Sequence, residues 1–548
     1  MKQLFKIFCI ATVLGASLLQ SCETTELDLR KNPNALSADQ GNPDFLLNGI
    51  QLSFVSLVES LGRTGAEMTR IDYMFGRDYR NVYSPASFDG EWTTAYTQIR
   101  TDINALTPLA ETAELNYHLG MAQFMEAYTL ASLVDFFGDV PYTEANLGSA
   151  NFNPSVDSGA TVYEAALGLI DDAIANFNDG GVASPQNDFF YDGDASKWIK
   201  ACNTLKLKLY MTSRLANSGS LASFNAIIAS NNYISSTADD FQFRWGVNEV
   251  QPDTRHPRYT ASYTAQGGTD YMSNHQMDYM LQNDDPRIRY YFYRQNEETP
   301  GAEAPPALEV LQCSLQTPPS HYTGFPFCYL PNGYWGRDHG SDEGTPPDGF
   351  LRSLIGVYPA AGKFDDSSFE GQGQGDGAGG NGVTPILLAS WVDFWRAEAA
   401  MVNNNPAGAR TFVLAGLAKS VAKVQSFGSL DSSSDLSTAP TAADVAAHSV
   451  AIAAAFDADN TGGWNVLGQE FFTALFGNGI DAYNFYRRTG FPNSLQPSLE
   501  PQPGAFIRSV FYSANFVNNN SNVTQKADQT QQVFWDTNPA SPAFPLSN

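Results

Sequence analysis

The densest group of charged side chains in the sequence lies in the segment YWGRDHGSDEGTPPDG, residues 334–349. Its glycines and prolines favour tight turns, which hold neighbouring side chains on one loop. Several carboxylates from one loop are typical ligands of calcium. Asp342, Glu343 and Asp348 are therefore candidate calcium ligands, although their spacing does not fit an EF-hand.

The same segment has two other interpretations. Trp335 offers a flat face to a ligand, and Arg337 and Asp338 offer hydrogen bonds beside it. Alternatively, the segment is a rigid surface loop whose polar groups satisfy one another. The residues alone leave these alternatives open.

A second candidate segment is IDYMFGRDYRNVY, residues 71–83. A sugar ring has an apolar C–H face that an aromatic ring can cover, while polar neighbours hold its hydroxyl groups. Three aromatic residues, Tyr73, Phe75 and Tyr79, lie near Arg77 and are candidates to cover a sugar ring. In this segment we predict ligand contacts for Tyr73, Arg77, Asp78 and Tyr79. Core packing is the alternative for each ring.

Motifs of common enzyme classes are missing from the sequence. It contains no Gly-x-Ser-x-Gly, His-Glu-x-x-His or P-loop pattern. A pair of Asp and Glu residues for glycoside hydrolysis would meet in space rather than in sequence, so a secreted hydrolase stays an alternative. The sequence itself identifies no catalytic residue.

The N-terminus carries the pattern of a lipoprotein signal. Lys2 and Lys6 accompany an apolar run that ends in Leu-Gln-Ser-Cys at Cys22. A short apolar run followed by a small residue and a cysteine is typical of cleavage with lipid attachment to the thiol. We predict a signal peptide at 1–21, a lipid on Cys22 and a polar tether at 22–40. The lipid would then be the only attachment to the membrane.

Composition limits the partners. The formal net charge of −27 repels phosphate backbones, so nucleic acid is excluded as a partner.

Of the five cysteines, Cys202 lies on an apolar helical pattern and is predicted to be a buried thiol. Cys313 and Cys328 flank a proline-rich loop and can close it as a disulfide in an oxidising compartment. The spacing does not decide whether they do.

Helical periodicity dominates both ends of the chain. We predict one domain at 41–548, with a helical scaffold mainly at 41–230 and 386–490. Alternating helices joined by short turns favour a tetratricopeptide-like arrangement of helix pairs. Residues 231–385 are rich in aromatic and turn-forming residues, which predicts an irregular, functional region packed against the scaffold. The fold class is therefore mainly α.

Several segments in order resemble the SusD/RagB-type nutrient-binding outer-membrane lipoproteins. The matching segments are LDLRKNPN (27–34), LVDFFGDVPYTEA (133–145), DDPRIRYYF (284–292), residues 334–349, ASWVDFWRAEAA (389–400), ALFGNGIDAYNFYRRTGFP (474–492) and the ending at 518–539.

The resemblance implies a SusD-like helical fold and no enzymatic activity. It also implies capture of an oligosaccharide, or in the alternative a peptide or another polymer, at the surface of a Gram-negative bacterium. The implied partner is a SusC-like TonB-dependent transporter in the outer membrane, over which the protein forms a lid.

Overall fold

The amphipathic patterns of the sequence fold into paired α-helices in the computed structural model of the chain. The structure describes residues 41–265, 267–298, 312–343, 352–357, 362–427 and 434–545. The predicted signal peptide, Cys22 and the tether lie outside these residues. From Asn42 onward the chain clusters into one compact unit.

The first half of the scaffold begins with a long helix that is capped by its own sequence. The side chain of Asn42 accepts a hydrogen bond from the Asp44 amide, and Pro43 occupies the first helical turn. The helices are α1 (Pro43–Met68), α2 (Tyr79–Val82), α3 (Asp89–Thr93), a π-helical turn (Thr94–Ile99), α4 (Arg100–Thr112), α5 (Asn116–Phe137), α6 (Gly159–Asp179), α7 (Ala195–Ser213) and α8 (Ser220–Ser230).

Short elements occupy the middle of the chain. They are β1 (Phe241–Arg244), α9 (Pro257–Ser262), α10 (Asn274–Gln282), α11 (Ile288–Tyr291), β2 (Phe292–Tyr293), β3 (Leu354–Ile355) and β4 (Val383–Leu387). Strand β1 pairs antiparallel with β4, and β2 pairs antiparallel with β3. Loops connect the remaining described residues of this part.

The second half of the scaffold follows β4 directly. Its helices are α12 (Ala389–Val402), α13 (Pro406–Ser426), α14 (Ala442–Ala458), α15 (Trp464–Ala474), α16 (Ile480–Thr489) and the short α17 (Ala514–Asn518). Helices α5 and α6 pack along each other, as do α12 and α13, and each helix from α4 to α8 contacts the next. The mainly α, tetratricopeptide-like prediction is confirmed.

The two halves meet where α16 packs against α1. A Cβ atom on Gly65 of α1 would lie only 2.4 Å from the carbonyl oxygen of Gly479, which precedes α16. Among the described residues, α1 is the helix that passes the length and hydropathy criteria for crossing a membrane. Half of its most apolar stretch is buried, and α4, α5 and α16 pack against it. In this unit, α1 is a core helix.

The boundaries agree with the sequence where a cap is visible and differ where tertiary pairing decides. Gly138, with φ +81°, ends α5, and Asp194 caps α7 through the amides of Ser196 and Lys197. The helix expected from residue 386 starts at Ala389, because Val383–Leu387 pairs with β1. Pro108 lies inside α4, which continues to Thr112, because a proline removes only one backbone donor from the helix.

Candidate functional site

The two candidate segments, about 260 residues apart in sequence, meet in the structure. The Gly340 amide donates to the Met74 carbonyl over 3.0 Å. Arg77 Nε lies 2.8 Å from Asp342 Oδ2, with 67% and 34% of the two side chains exposed. Segments 71–83 and 334–343 therefore form one junction, with an inner and an outer layer.

Asp338 organises the inner layer. Its Oδ1 accepts hydrogen bonds from Asn274 Nδ2 (2.9 Å) and Gln496 Nε2 (3.0 Å), and its Oδ2 accepts one from the Cys328 amide (2.6 Å). The side chain is buried, and burial raises the pKa of its carboxyl group against the effect of these donors. Asp338 thus ties the 334–343 segment to three other parts of the chain.

Arg337 is buried beneath aromatic rings. Its guanidinium carbon lies 5.7 Å from the ring centre of Tyr73, 5.6 Å from that of Tyr271 and 5.4 Å from that of Phe75. Cation–π contacts of this kind gain strength when water is excluded. Burial raises the pKa of Tyr73 to about 12, although Arg337 opposes the shift. Arg337 therefore positions Phe75 from below.

Tyr79 and Trp335 are also inside the protein. The Tyr79 hydroxyl accepts a hydrogen bond from Arg70 Nη2 (3.1 Å) and lies 3.2 Å from His339 Nε2. Burial raises the pKa of Tyr79 and lowers that of His339 well below its usual value. Trp335 is 1% exposed and lies against Cys328, with the guanidinium of Arg352 4.7 Å from its ring centre.

The sequence expectation that Trp335, Arg337 and Asp338 face a ligand from a surface loop does not match this placement. These side chains, with Tyr73 and Tyr79, present no open face to solvent. The physical reason is that their partners, such as Gln496, come from distant parts of the chain. Asp78 is half-buried, and both of its carboxylate oxygens accept hydrogen bonds from Asn81.

The outer layer consists of Phe75, Arg77 and Asp342, which we call the outer patch. Phe75 is 44% exposed, so one part of its ring rests on Arg337 while the rest faces water. The Arg77–Asp342 pair lies on the surface and is only weakly held by its own attraction. An apolar ring beside two charged hydrogen-bonding groups suits a polar ligand with an apolar face.

The residues considered for calcium are separated in their roles. Asp342 is paired with Arg77, Glu343 is exposed, and Asp348 lies outside the described residues. Calcium at this loop stays a prediction.

Cys313 and Cys328 are joined as a disulfide next to Trp335, and Cys202 is a buried free thiol.

Another group has ligand-type side chains close together. Single ligand atoms of Asp285, His448 and Glu470 lie within 4.8 Å of one another. Arg287 fills the space between the carboxylates, donating to Asp285 (2.5 and 2.8 Å) and to Glu470 (2.9 Å). This geometry is that of a buried ion-pair network, which binds the middle region to α14 and α15.

Sequence reasoning missed Arg70, Asn274 and Gln496 as parts of the junction, because each of them has a hydrogen-bond partner in a distant part of the chain. His339 belongs to the segment singled out in the sequence, but its contact with Tyr79 was not predicted. Arg70 has φ +65° just after α1, and this turn directs the chain back into the junction.

The chain is similar to a known protein family and to several solved structures. A family model described as starch-binding and associating with the outer membrane, SusD-like, matches residues 33–304, about half of the chain. A SusD/RagB family protein from Bacteroides thetaiotaomicron superposes with a TM-score of 0.65 at 19% identity, covering 91% of this chain and 100% of that one. No functionally curated sequence matches the chain.

Two further solved structures are similar. A chitin-binding protein has a TM-score of 0.63 at 19% identity, covering 91% of this chain and 100% of its own. A chitin-binding SusD homologue from Flavobacterium johnsoniae has a TM-score of 0.58 at 17% identity, covering 90% and 99%. Likeness at this level of identity concerns the fold.

Proposed function

This chain belongs to the SusD-like family, and on that premise we propose that it captures oligosaccharides at the cell surface and delivers them to a SusC-like TonB-dependent transporter. Members of the family are binding proteins rather than enzymes. Glycan capture is supported by the starch-binding description of the family and by the chitin-binding neighbours. The proposal requires a surface that recognises sugars without reacting with them.

The outer patch is the observation that carries the proposal. Phe75 can cover the C–H face of a sugar ring, and Arg77 and Asp342 can bond its hydroxyl groups on either side. Because Phe75 lies against Arg337, which is itself held against Tyr73, the ring loses little conformational freedom on binding. Sugars give up well-hydrated hydroxyl groups on entry, so affinity rests on this stacking and on a few directed hydrogen bonds.

Delivery to a transporter and attachment through Cys22 are further parts of the proposal. They are supported by the N-terminal lipoprotein pattern and by the outer-membrane association in the family description. A lipid at the end of the 22–40 tether would keep the binding surface at the membrane while leaving it free to reorient. We place the protein on the extracellular face of the outer membrane.

Calorimetric titration with starch and chitin oligosaccharides tests glycan capture. Phe75→Ala should weaken binding about fivefold to tenfold, which corresponds to the loss of one aromatic contact. Arg77→Ala should weaken binding as well. No sample should gain new reducing ends, because the protein binds the glycan without hydrolysing it. Phe45→Ala is the matched control, because Phe45 is also an exposed aromatic ring (70%) but lies on α1.

The outcomes separate the alternatives. Equal affinity of the Phe75 and Phe45 variants would remove the outer patch from the site. Binding of peptides in place of sugars would retain the capture mechanism and change the ligand class. Release of shorter sugars would contradict the assignment as a binding protein.

A further inference from the structure

A cleft of about 250 Å³ lies between the first helices and the C-terminal segment. It shares no residue with the outer patch. Trp92 and Tyr96 form its floor, with ring centres 5.0 Å apart, and Phe516 stacks on Trp92 at 4.6 Å. Phe152, 74% exposed, stands at the rim. The cleft thus combines an apolar floor with one aromatic ring open to solvent.

Hydrogen bonds hold the walls of this cleft in place. The Tyr96 hydroxyl donates to the Pro141 carbonyl (2.8 Å), and Asn146 Nδ2 donates to the Tyr96 carbonyl (2.7 Å). Asn520, which is 5% exposed, donates to the Pro154 carbonyl over 2.8 Å. These contacts join three segments that are distant in sequence. The cleft is therefore pre-formed rather than dependent on a ligand to assemble it.

Amide side chains at the rim supply the polar contacts. Asn515 and Asn519 line the cleft and are exposed. The Asn519 carboxamide donates to the Asn515 backbone carbonyl (2.8 Å), whereas the Asn515 carboxamide makes no hydrogen bond to any other residue within the described ranges. A carboxamide carries both donors and acceptors, so it can pair with a hydroxyl group in either sense.

The lining contains no Asp, Glu, Lys, Arg or His among the described residues. This is notable in a chain with 58 acidic residues and a net charge of −27. A charged ligand would lose its hydration there without gaining a counter-charge. The ligand that fits is neutral, with one apolar face and several hydroxyl groups.

We propose that this cleft is a second carbohydrate site, which binds one ring of a neutral oligosaccharide against Phe152 with Asn515 as its hydrogen-bonding partner. The inference rests on the proposed function, since it assumes that glycans are what the protein captures. It goes further in assigning a second position and in excluding charged sugars from it. A second site allows a polymer that is long enough to reach both positions to be held at two points, which raises the apparent affinity.

Fluorine NMR of the protein labelled with 5-fluorotryptophan tests the cleft directly. The signal of Trp92, assigned by its loss in Trp92→Phe, should shift on addition of chitin or starch oligosaccharides. The shift should persist in Phe75→Ala, because that variant changes only the outer patch. In Phe152→Ala combined with Asn515→Ala it should require about tenfold more glycan, as expected for loss of a ring contact and a hydrogen bond. Leu147→Ala, an exposed apolar change before the cleft loop, is the matched control.

Each result decides the matter. A Trp92 signal that does not move, while calorimetry still shows glycan binding, overturns the second site and leaves the proposed function standing. Absence of glycan binding in both methods overturns the second site and the proposed function together. An equal response to uronic-acid oligosaccharides would overturn the neutral-ligand assignment.

Discussion

Removal of the Asp338 carboxylate is the sharpest test of the inner layer. Asp338→Ala leaves three donors without their acceptor: the Cys328 amide, Asn274 Nδ2 and Gln496 Nε2. Each buried donor left unpaired costs about 1–3 kcal/mol, and part of this is recovered if water enters. We therefore expect a loss of about 3–5 kcal/mol in the free energy of opening the junction.

Urea unfolding and hydrogen exchange measure this loss. Exchange at the Cys328 amide should accelerate strongly, since the carboxylate that holds it is gone. The stability of Asp338→Asn should lie between those of the wild type and the Ala variant. The carboxamide keeps the volume of the side chain, but its NH2 group replaces one acceptor oxygen and so cannot pair with one of the three donors. Asp342→Ala is the control, since the Arg77–Asp342 pair lies on the surface and its removal should leave stability almost unchanged.

The reasoning would be refuted by an Asp338→Ala variant as stable as the wild type with normal exchange at Cys328. In that case the carboxylate would be a surface group available to a ligand, as the sequence alone suggested.

Three other changes have defined outcomes. Burial raises the pKa of Glu67 to about 7, whereas in the unfolded chain the same carboxyl group ionises at lower pH. The free energy of unfolding should therefore fall by about 1–3 kcal/mol between pH 4.5 and pH 7, and Glu67→Gln should remove this slope in pH-dependent unfolding. Replacing both Cys313 and Cys328 by Ser should lower stability by about 3 kcal/mol in urea, as expected for opening a loop of this length. Gly65→Ala should destabilise by about 1–3 kcal/mol, because its Cβ would meet the backbone before α16.

Matched variants make these outcomes interpretable. Glu164→Gln changes another helical glutamate and should leave the pH slope intact. Gly168→Ala, on α6 with open space around the new Cβ, should be neutral or slightly stabilising. If Gly65→Ala behaved like Gly168→Ala, the close approach of α1 to the start of α16 would be wrong. A disulfide-free variant with unchanged unfolding would show that the loop is held by other contacts.

The helical scaffold is predictable from sequence because its signals are local. Gly138 ends one helix and Asp194 caps another, and a glycine or an aspartate at such a position is a signal that can be read in the sequence itself. Strand β4 was not predicted, because its residues are also compatible with the start of a helix. Only its pairing with β1 decides between strand and helix.

The candidate site was predictable only in part. The sequence marks both segments of the junction as unusual, but it does not show that Gly340 meets Met74 or which ring faces outward. Burial of Trp335 depends on Cys328 and Arg352, and no spacing rule connects them. The cleft lined by Trp92, Phe152 and Phe516 was missed for the same reason, because these residues belong to three separate segments whose sequences are not distinctive.

The packing of α16 on α1 makes the beginning of the chain dependent on its end. A ribosome finishes residues 43–68 more than 400 residues before it reaches 480–489, so the side of α1 that packs against α16 stays uncovered until the end of synthesis. In a product truncated before α16, this apolar face of α1 would remain permanently exposed. Chaperones that shield α1 until α16 has been made, and proteolysis of incomplete chains, should therefore affect the yield of this protein.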